Sequence, residues 1–89
     1  MIFEISKRAR DDIENIAHYT VENFGLAQTE EYLDGLYRSF ELLAENPKLG
    51  REWSAGRRRY IYRMHHVYYR ITAKSVFVTH IRHSSQSPI

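Results

Sequence analysis

Four arginines, Arg57, Arg58, Arg59 and Arg63, fall within seven residues and have no acid among them. Guanidinium groups set along an extended segment can clamp phosphate or a carboxylate-rich peptide through paired N–H donors. The competing reading is a charged sheet edge that keeps strands of neighbouring molecules from pairing. Binding is favoured, because nothing local neutralises the cluster. Tyr60, Tyr62, Tyr68 and Tyr69 interleave with these arginines. Exposed on a sheet they would stack on nucleobases, but tyrosine is also the ordinary filling of a half-buried sheet, and that reading is preferred. Strand alternation sets Tyr60 and Tyr62 opposite Arg59 and Arg63, so a stacking platform and an arginine clamp would not share that face.

His65, His66, His80 and His83 raise the question of a metal. The adjacent pair points to opposite sides of a strand, and the spacing matches no zinc signature, so neither a metal nor a cofactor is expected. His83, near Arg82 and Arg70 in the sequence, is a candidate acid or base, since an unperturbed imidazole titrates near neutrality. Nucleophilic catalysis has no support: the chain has no cysteine, no Gly-x-Ser-x-Gly elbow and no glycine-rich phosphate loop. The paired carboxylates Asp11-Asp12 and Glu30-Glu31 fall in helical segments, where a solvated face or a dipole role fits better than catalysis.

These residues need elements to hold them. Ile2 to Ile5 alternates as a short strand, and Ser6 offers an N-cap. Ala9, Ile13, Ile16, Ala17, Thr20 and Phe24 then recur at three- and four-residue steps, an amphipathic helix that Gly25 ends. A second helix is predicted from about Ala27 to Ala44, burying Leu33, Leu36, Phe40 and Leu43. It closes at Glu45-Asn46-Pro47, because the residue before proline leaves the helical region. Lys48 to Gly56 reads as a loop around Trp53. Three β-rich runs follow, at residues 59–64, 67–71 and 76–81, too closely spaced for anything but hairpins. The order β-α-α-β-β-β predicts an α+β fold, an antiparallel sheet with a helical hairpin packed on one face.

The 89 residues allow one small domain, burying roughly 60–65% of the surface that the unfolded chain exposes. Composition, at 43% hydrophobic and 13% aromatic, argues against disorder. The absence of cysteine excludes disulfides and thiolate metal sites and fits a reducing cytosol. Glu4 interrupts the N-terminus before an apolar export segment could form, and no stretch approaches the ~20 apolar residues of a membrane span. A cytoplasmic protein with no membrane partner is therefore expected. Charge is sharply segregated. Residues 1–50 carry five Lys/Arg against ten Asp/Glu, a net −5, whereas residues 51–89 carry eight against Glu52 alone, a net +7. Placed on the predicted fold, the acid lies on the helical hairpin and the arginine on the sheet, whose open face is expected to be basic.

The run Ala9-x-x-Asp12-Ile13-x-x-Ile16-x-x-Tyr19 resembles the first helix of the RelE/ParE superfamily of bacterial toxins. So does Leu43-x-x-Asn46-Pro47-x-x-Gly50-Arg51, followed by Arg58-Arg59-Tyr60, Val67-Tyr68-Tyr69-Arg70-Ile71 and Val76-x-Val78-x-x-Ile81-x-His83. The resemblance implies a toxin domain over residues 1–83 with a short polar tail at 84–89. It also implies membership of a type II toxin–antitoxin pair, in which an acidic antitoxin silences the toxin. RelE-like members cleave mRNA on the ribosome, and ParE-like members inhibit DNA gyrase. The predicted second and third strands hold no lysine, and Ser84 stands where a tyrosine would follow the histidine of related ribonucleases. The ending Ile81-Arg82-His83 resembles the ParE pattern, although Ser84, Ser85 and Gln86 replace the arginines usual in that tail. The ParE-like reading makes Arg57, Arg58, Arg59, Arg63, Arg82 and His83 the target- and antitoxin-binding residues, with no catalytic residue. Under the ribonuclease alternative, Arg59, Arg63 and Arg70 would stabilise the pentavalent phosphate and His83 would move a proton. A third alternative is a degenerate toxin that only binds its antitoxin.

Overall fold

Strand β1, Ile2–Ile5, runs straight into helix α1, Lys7–Phe24, through the single residue Ser6. The Ser6 hydroxyl accepts the Ala9 N–H at 2.9 Å, as an N-cap should. It also donates to the Thr79 carbonyl at 2.6 Å, so the same cap fastens the helix to the last strand. Gly25 ends α1 at φ 88, a backbone angle that side-chain-bearing residues rarely adopt. It then leads directly into helix α2, Leu26–Glu45, which is capped by Asn46 before Pro47. The computed structural model describes residues 1–86. Of the expected 84–89 tail, Ser84–Gln86 forms one 3₁₀ turn, and 87–89 lie outside the described residues.

Four further strands follow: β2 (Arg51–Ser54), β3 (Arg57–Tyr62), β4 (His65–Ile71) and β5 (Ser75–His83). They form one sheet in the order β1-β5-β4-β3-β2. β3, β4 and β5 are the predicted antiparallel meander. The architecture is the expected α+β arrangement, with one added strand and with one predicted strand that makes the sheet mixed instead of wholly antiparallel. β2 occupies part of the segment read as a loop and pairs with β3 across a bulge. β1 lies parallel to β5, with Phe3 opposite Val76 and Ile5 opposite Val78, because the two-helix crossover returns the chain in the same direction.

The helices cover one face. Ala9, Ile13 and Ile16 of α1 and Leu36, Phe40 and Leu43 of α2 bury against Val67, Tyr69, Val76, Val78 and Ile81. Phe24, predicted in the buried stripe of α1, is instead 60% exposed, because the helix has run past the sheet by then. A bulge near Thr79 sets the face of every later residue in β5. Before it, Val76 and Val78 point to the helices; after it, Ile81 does, since Tyr68 pairs with His80 and Tyr69 with Val78. Beyond the end of β1 the edge of β5 is closed by α1, where the Asp12 carboxylate accepts the Ile81 N–H at 2.9 Å.

Candidate functional site

The arginine cluster divides between the two sides of the sheet. Register places Arg59 opposite Tyr68 and Arg58 opposite Tyr69, so adjacent guanidinium groups diverge. Arg57 is exposed and Arg59 half-buried on the face away from the helices. Arg58 turns to the other side, where its Nε–H donates to the Gly50 carbonyl at 2.9 Å and its NH2 group to the Lys48 carbonyl at 3.2 Å. It thereby fastens the loop that enters β2. Tyr69 holds the same loop: its hydroxyl accepts from Gly50 N–H at 2.9 Å and donates to the Pro47 carbonyl at 2.6 Å. A Cβ on Gly50 would stand 2.5 Å from that hydroxyl, so only glycine fits.

Arg63 lies in the tight turn between β3 and β4 at φ 49, a strained angle for a bulky residue. Its guanidinium sits 6.0 Å from the Tyr32 ring centre and 5.7 Å from that of Tyr62. Sequence alternation set Arg63 opposite Tyr62; the turn instead folds it back onto that ring. Tyr32, from α2, organises this corner. Its hydroxyl accepts the Met64 N–H at 3.3 Å and pairs with His65 Nδ1 at 2.6 Å. With its acceptor side occupied, the hydroxyl donates to Nδ1, which places the proton of neutral His65 on Nε2.

His83 stands opposite His65, with the two rings edge to face at 5.2 Å. Both border a cleft of about 450 Å³ between α1 and the sheet, together with Asp12, Ile16, Tyr19 and Ser85. Burial first, then the neighbouring His83 and His66, lowers the His65 pKa to about 4. His83 Nδ1 is held by Ser85, whose backbone N–H lies at 3.0 Å and whose hydroxyl lies at 2.8 Å. Arg82 stands opposite His66, on the sheet face away from this cleft.

The four residues of the ribonuclease alternative are therefore dispersed. Arg59 and Arg70 lie on the open face, Arg63 packs on Tyr32 of α2 and Tyr62 of β3, and His83 borders the cleft on the helix side. Arg70 pairs with Phe77 and His83 with His65, which separates them by five residues of strand, about 17 Å. No phosphate can meet all four groups at once in this arrangement. Among the described residues, no group of three or more His, Cys, Asp and Glu is placed to hold a metal, and no helix is long and apolar enough to cross a membrane.

Asp12 and Tyr32 were missed as organising residues. The spacing of the sequence puts both on helix flanks, and only tertiary contacts bring them to Ile81 and His65.

A two-helix hairpin on a five-stranded sheet is also the fold of a solved structure described as the chromosomal ParDE TA system from P. aeruginosa. The match has a TM-score of 0.81 at 18% identity, over 93% of this chain and 95% of that one. Toxin ParE1 of Caulobacter vibrioides is 30% identical over 88 residues, covering 96% of this chain and 91% of the relative. Residues 3–88 match the family described as ParE toxin of type II toxin-antitoxin system, parDE. The chain belongs to that family of toxins.

Proposed function

We propose that this protein inhibits DNA gyrase in the bacterial cytoplasm and is neutralised by a cognate acidic antitoxin. The family match over residues 3–88 carries the proposal. The scatter of Arg59, Arg63, Arg70 and His83 supports it against mRNA cleavage, because acid–base catalysis needs its groups around one reacting phosphate. In this reading the toxin acts by docking. Arg57, Arg59 and Arg82 meet the target or the antitoxin directly, whereas Arg58, Arg63 and His83 shape the surface beside them. The antitoxin is a partly extended, partly helical segment. It lays apolar side chains on the exposed Tyr19 and Phe24 of α1 and sets carboxylates against the arginines.

The test is a pair of assays on the purified chain: supercoiling by gyrase, and cleavage of ribosome-bound mRNA. Loss of supercoiling without codon-phased cuts is expected. Phased cuts with supercoiling intact would overturn the proposal, and silence in both assays would leave a toxin that only binds its antitoxin.

A further inference from the structure

The sheet face turned away from the helices carries an ordered set of groups that docking to a protein does not require. Arg51, Arg59, Tyr68 and His80 are partners in register across β2, β3, β4 and β5. They make a row of about 14 Å, at ~4.8 Å per strand interval. On one side of the row His66 faces Arg82; on the other Arg70 lies over Phe77, its guanidinium carbon 5.4 Å from the ring centre. Arg57 begins β3 at the same face. Aromatic groups fill the middle. Trp53 meets Tyr68 edge-on at 4.9 Å and 66°, and Tyr68 lies flat on His80 at 4.4 Å and 6°. Tyr68 is only 1% exposed beneath these neighbours, while Trp53 and His80 remain half-exposed.

Carboxylates are nearly absent. Among the described residues no acid lies within ion-pair distance of Arg51, Arg57, Arg59 or Arg70; the pair that does form, Lys7–Asp11, is on α1. Glu4, on β1, accepts a hydrogen bond from Ser75, and Asp12 is committed to the Ile81 N–H. The histidines feel the resulting field. Burial lowers the pKa of both His66 and His80; Arg59 lowers His66 further, and Arg8, then Arg57 and Arg82, lower His80 against an opposing pull from Asp12. Both rings therefore stay neutral and flat-faced beside the guanidinium groups.

Guanidinium forks match phosphate oxygens, and a neutral aromatic face accepts any nucleobase. A duplex hides its base faces, so this combination suits an unpaired strand. We propose that the open face binds single-stranded DNA, with Arg51, Arg57, Arg59 and Arg70 on phosphates and with Trp53 and His80 against bases. The choice of DNA over RNA rests on the gyrase reading, since that target works on DNA. The aromatic row sets the strand running across the sheet, from β2 towards β5.

The full-length chain is titrated into fluorescein-labelled (dT)12 by fluorescence anisotropy between about 50 and 300 mM salt. Four phosphate contacts predict a slope of log affinity against log salt near −3. Arg57→Gln with Arg59→Gln is expected to weaken binding at least tenfold and to flatten the slope by about 1.4. Trp53→Leu is expected to weaken binding about fivefold or more with the slope unchanged. Arg10→Gln with Arg38→Gln, on the helices, should leave binding intact, and a thermal melt of each variant separates misfolding from lost contacts. Absence of binding at the lowest salt would overturn the inference. So would equal or tighter binding of a 12-base-pair duplex, of (rU)12 or of polyglutamate. Gyrase inhibition by a chain that ignores (dT)12 would sink this inference alone. Strand binding by a chain that leaves supercoiling intact would support it and remove the gyrase reading.

Discussion

At the scale of single residues, His65 carries the sharpest consequence. Its Nδ1 accepts from Tyr32 at 2.6 Å, which requires that nitrogen unprotonated, and the ring packs edge to face against His83. Its pKa of about 4 in the fold lies below the 6.5 of an unfolded imidazole. A depressed folded value means that the unfolded chain binds a proton first, so the stability present above pH 6.5 is lost as pH falls towards 4. The midpoint of urea unfolding is therefore expected to drop steeply between pH 6.5 and 4. His65→Asn, which keeps an acceptor near the Nδ1 position but does not titrate, should flatten that slope. One fewer proton corresponds to at most ~1.4 kcal/mol per pH unit, and about 1 is expected because solvent still reaches the ring. An unchanged slope in the variant would place the acid sensitivity elsewhere. The sequence showed His65 only as one of an adjacent pair pointing to opposite faces. The alternation was right: His65 lies on the helix side and His66 on the open side. Its partner Tyr32, 33 residues away, could not be inferred from local spacing.

At the scale of elements, the helices and the β3–β5 meander were legible because each follows a period that its residues repeat. β2 was not. Four residues between Gly50 and Gly56, pairing on one side only across a bulge, leave no alternation to detect. The bulge near Thr79 was equally invisible, and it decides the site. Unbroken alternation would have put His80 and Arg82 on the helix side with Val76 and Val78. With the bulge they face outward, and Ile81 enters the core. The junction at Ser6 was half legible. The N-cap could be read, but the bond to Thr79 is a tertiary contact. Ser6→Ala removes both and leaves the Ala9 N–H without its cap, so a loss of about 1–2 kcal/mol is expected. For a domain of this size that lowers Tm by roughly 4–8 °C per kcal/mol. Ser6→Thr keeps the hydroxyl and should recover most of the loss. A calorimetric melt in which Ala and Thr behave alike would show that the hydroxyl contributes nothing at this junction.

At the scale of the whole molecule, the charge split in the sequence becomes a separation of surfaces. The net −5 of residues 1–50 falls mainly on the hairpin, and the net +7 of the remainder falls on the sheet and its turns. Attraction between such a sheet and an acidic segment acts before contact and is screened within ~10 Å at 0.1 M salt. Its signature is therefore in the rate of association more than in the lifetime of the complex. The choice of variant matters, because neighbours in the cluster do different things. Arg58 is bonded to the loop carbonyls of Gly50 and Lys48, so replacing it would disturb β2 as well as the field. Arg57 and Arg59 lack such bonds among the described residues, and their reversal reports on charge alone. Arg57→Glu with Arg59→Glu is expected to slow antitoxin association at least tenfold at low salt. Dissociation should change about twofold or less, and the difference should close as salt approaches 1 M, where screening acts within ~3 Å. Stopped-flow measurement across that salt range checks the whole pattern. A loss confined to the dissociation rate and insensitive to salt would mean that these two arginines are buried in the complex as specific contacts, and that the basic face does not steer its partner.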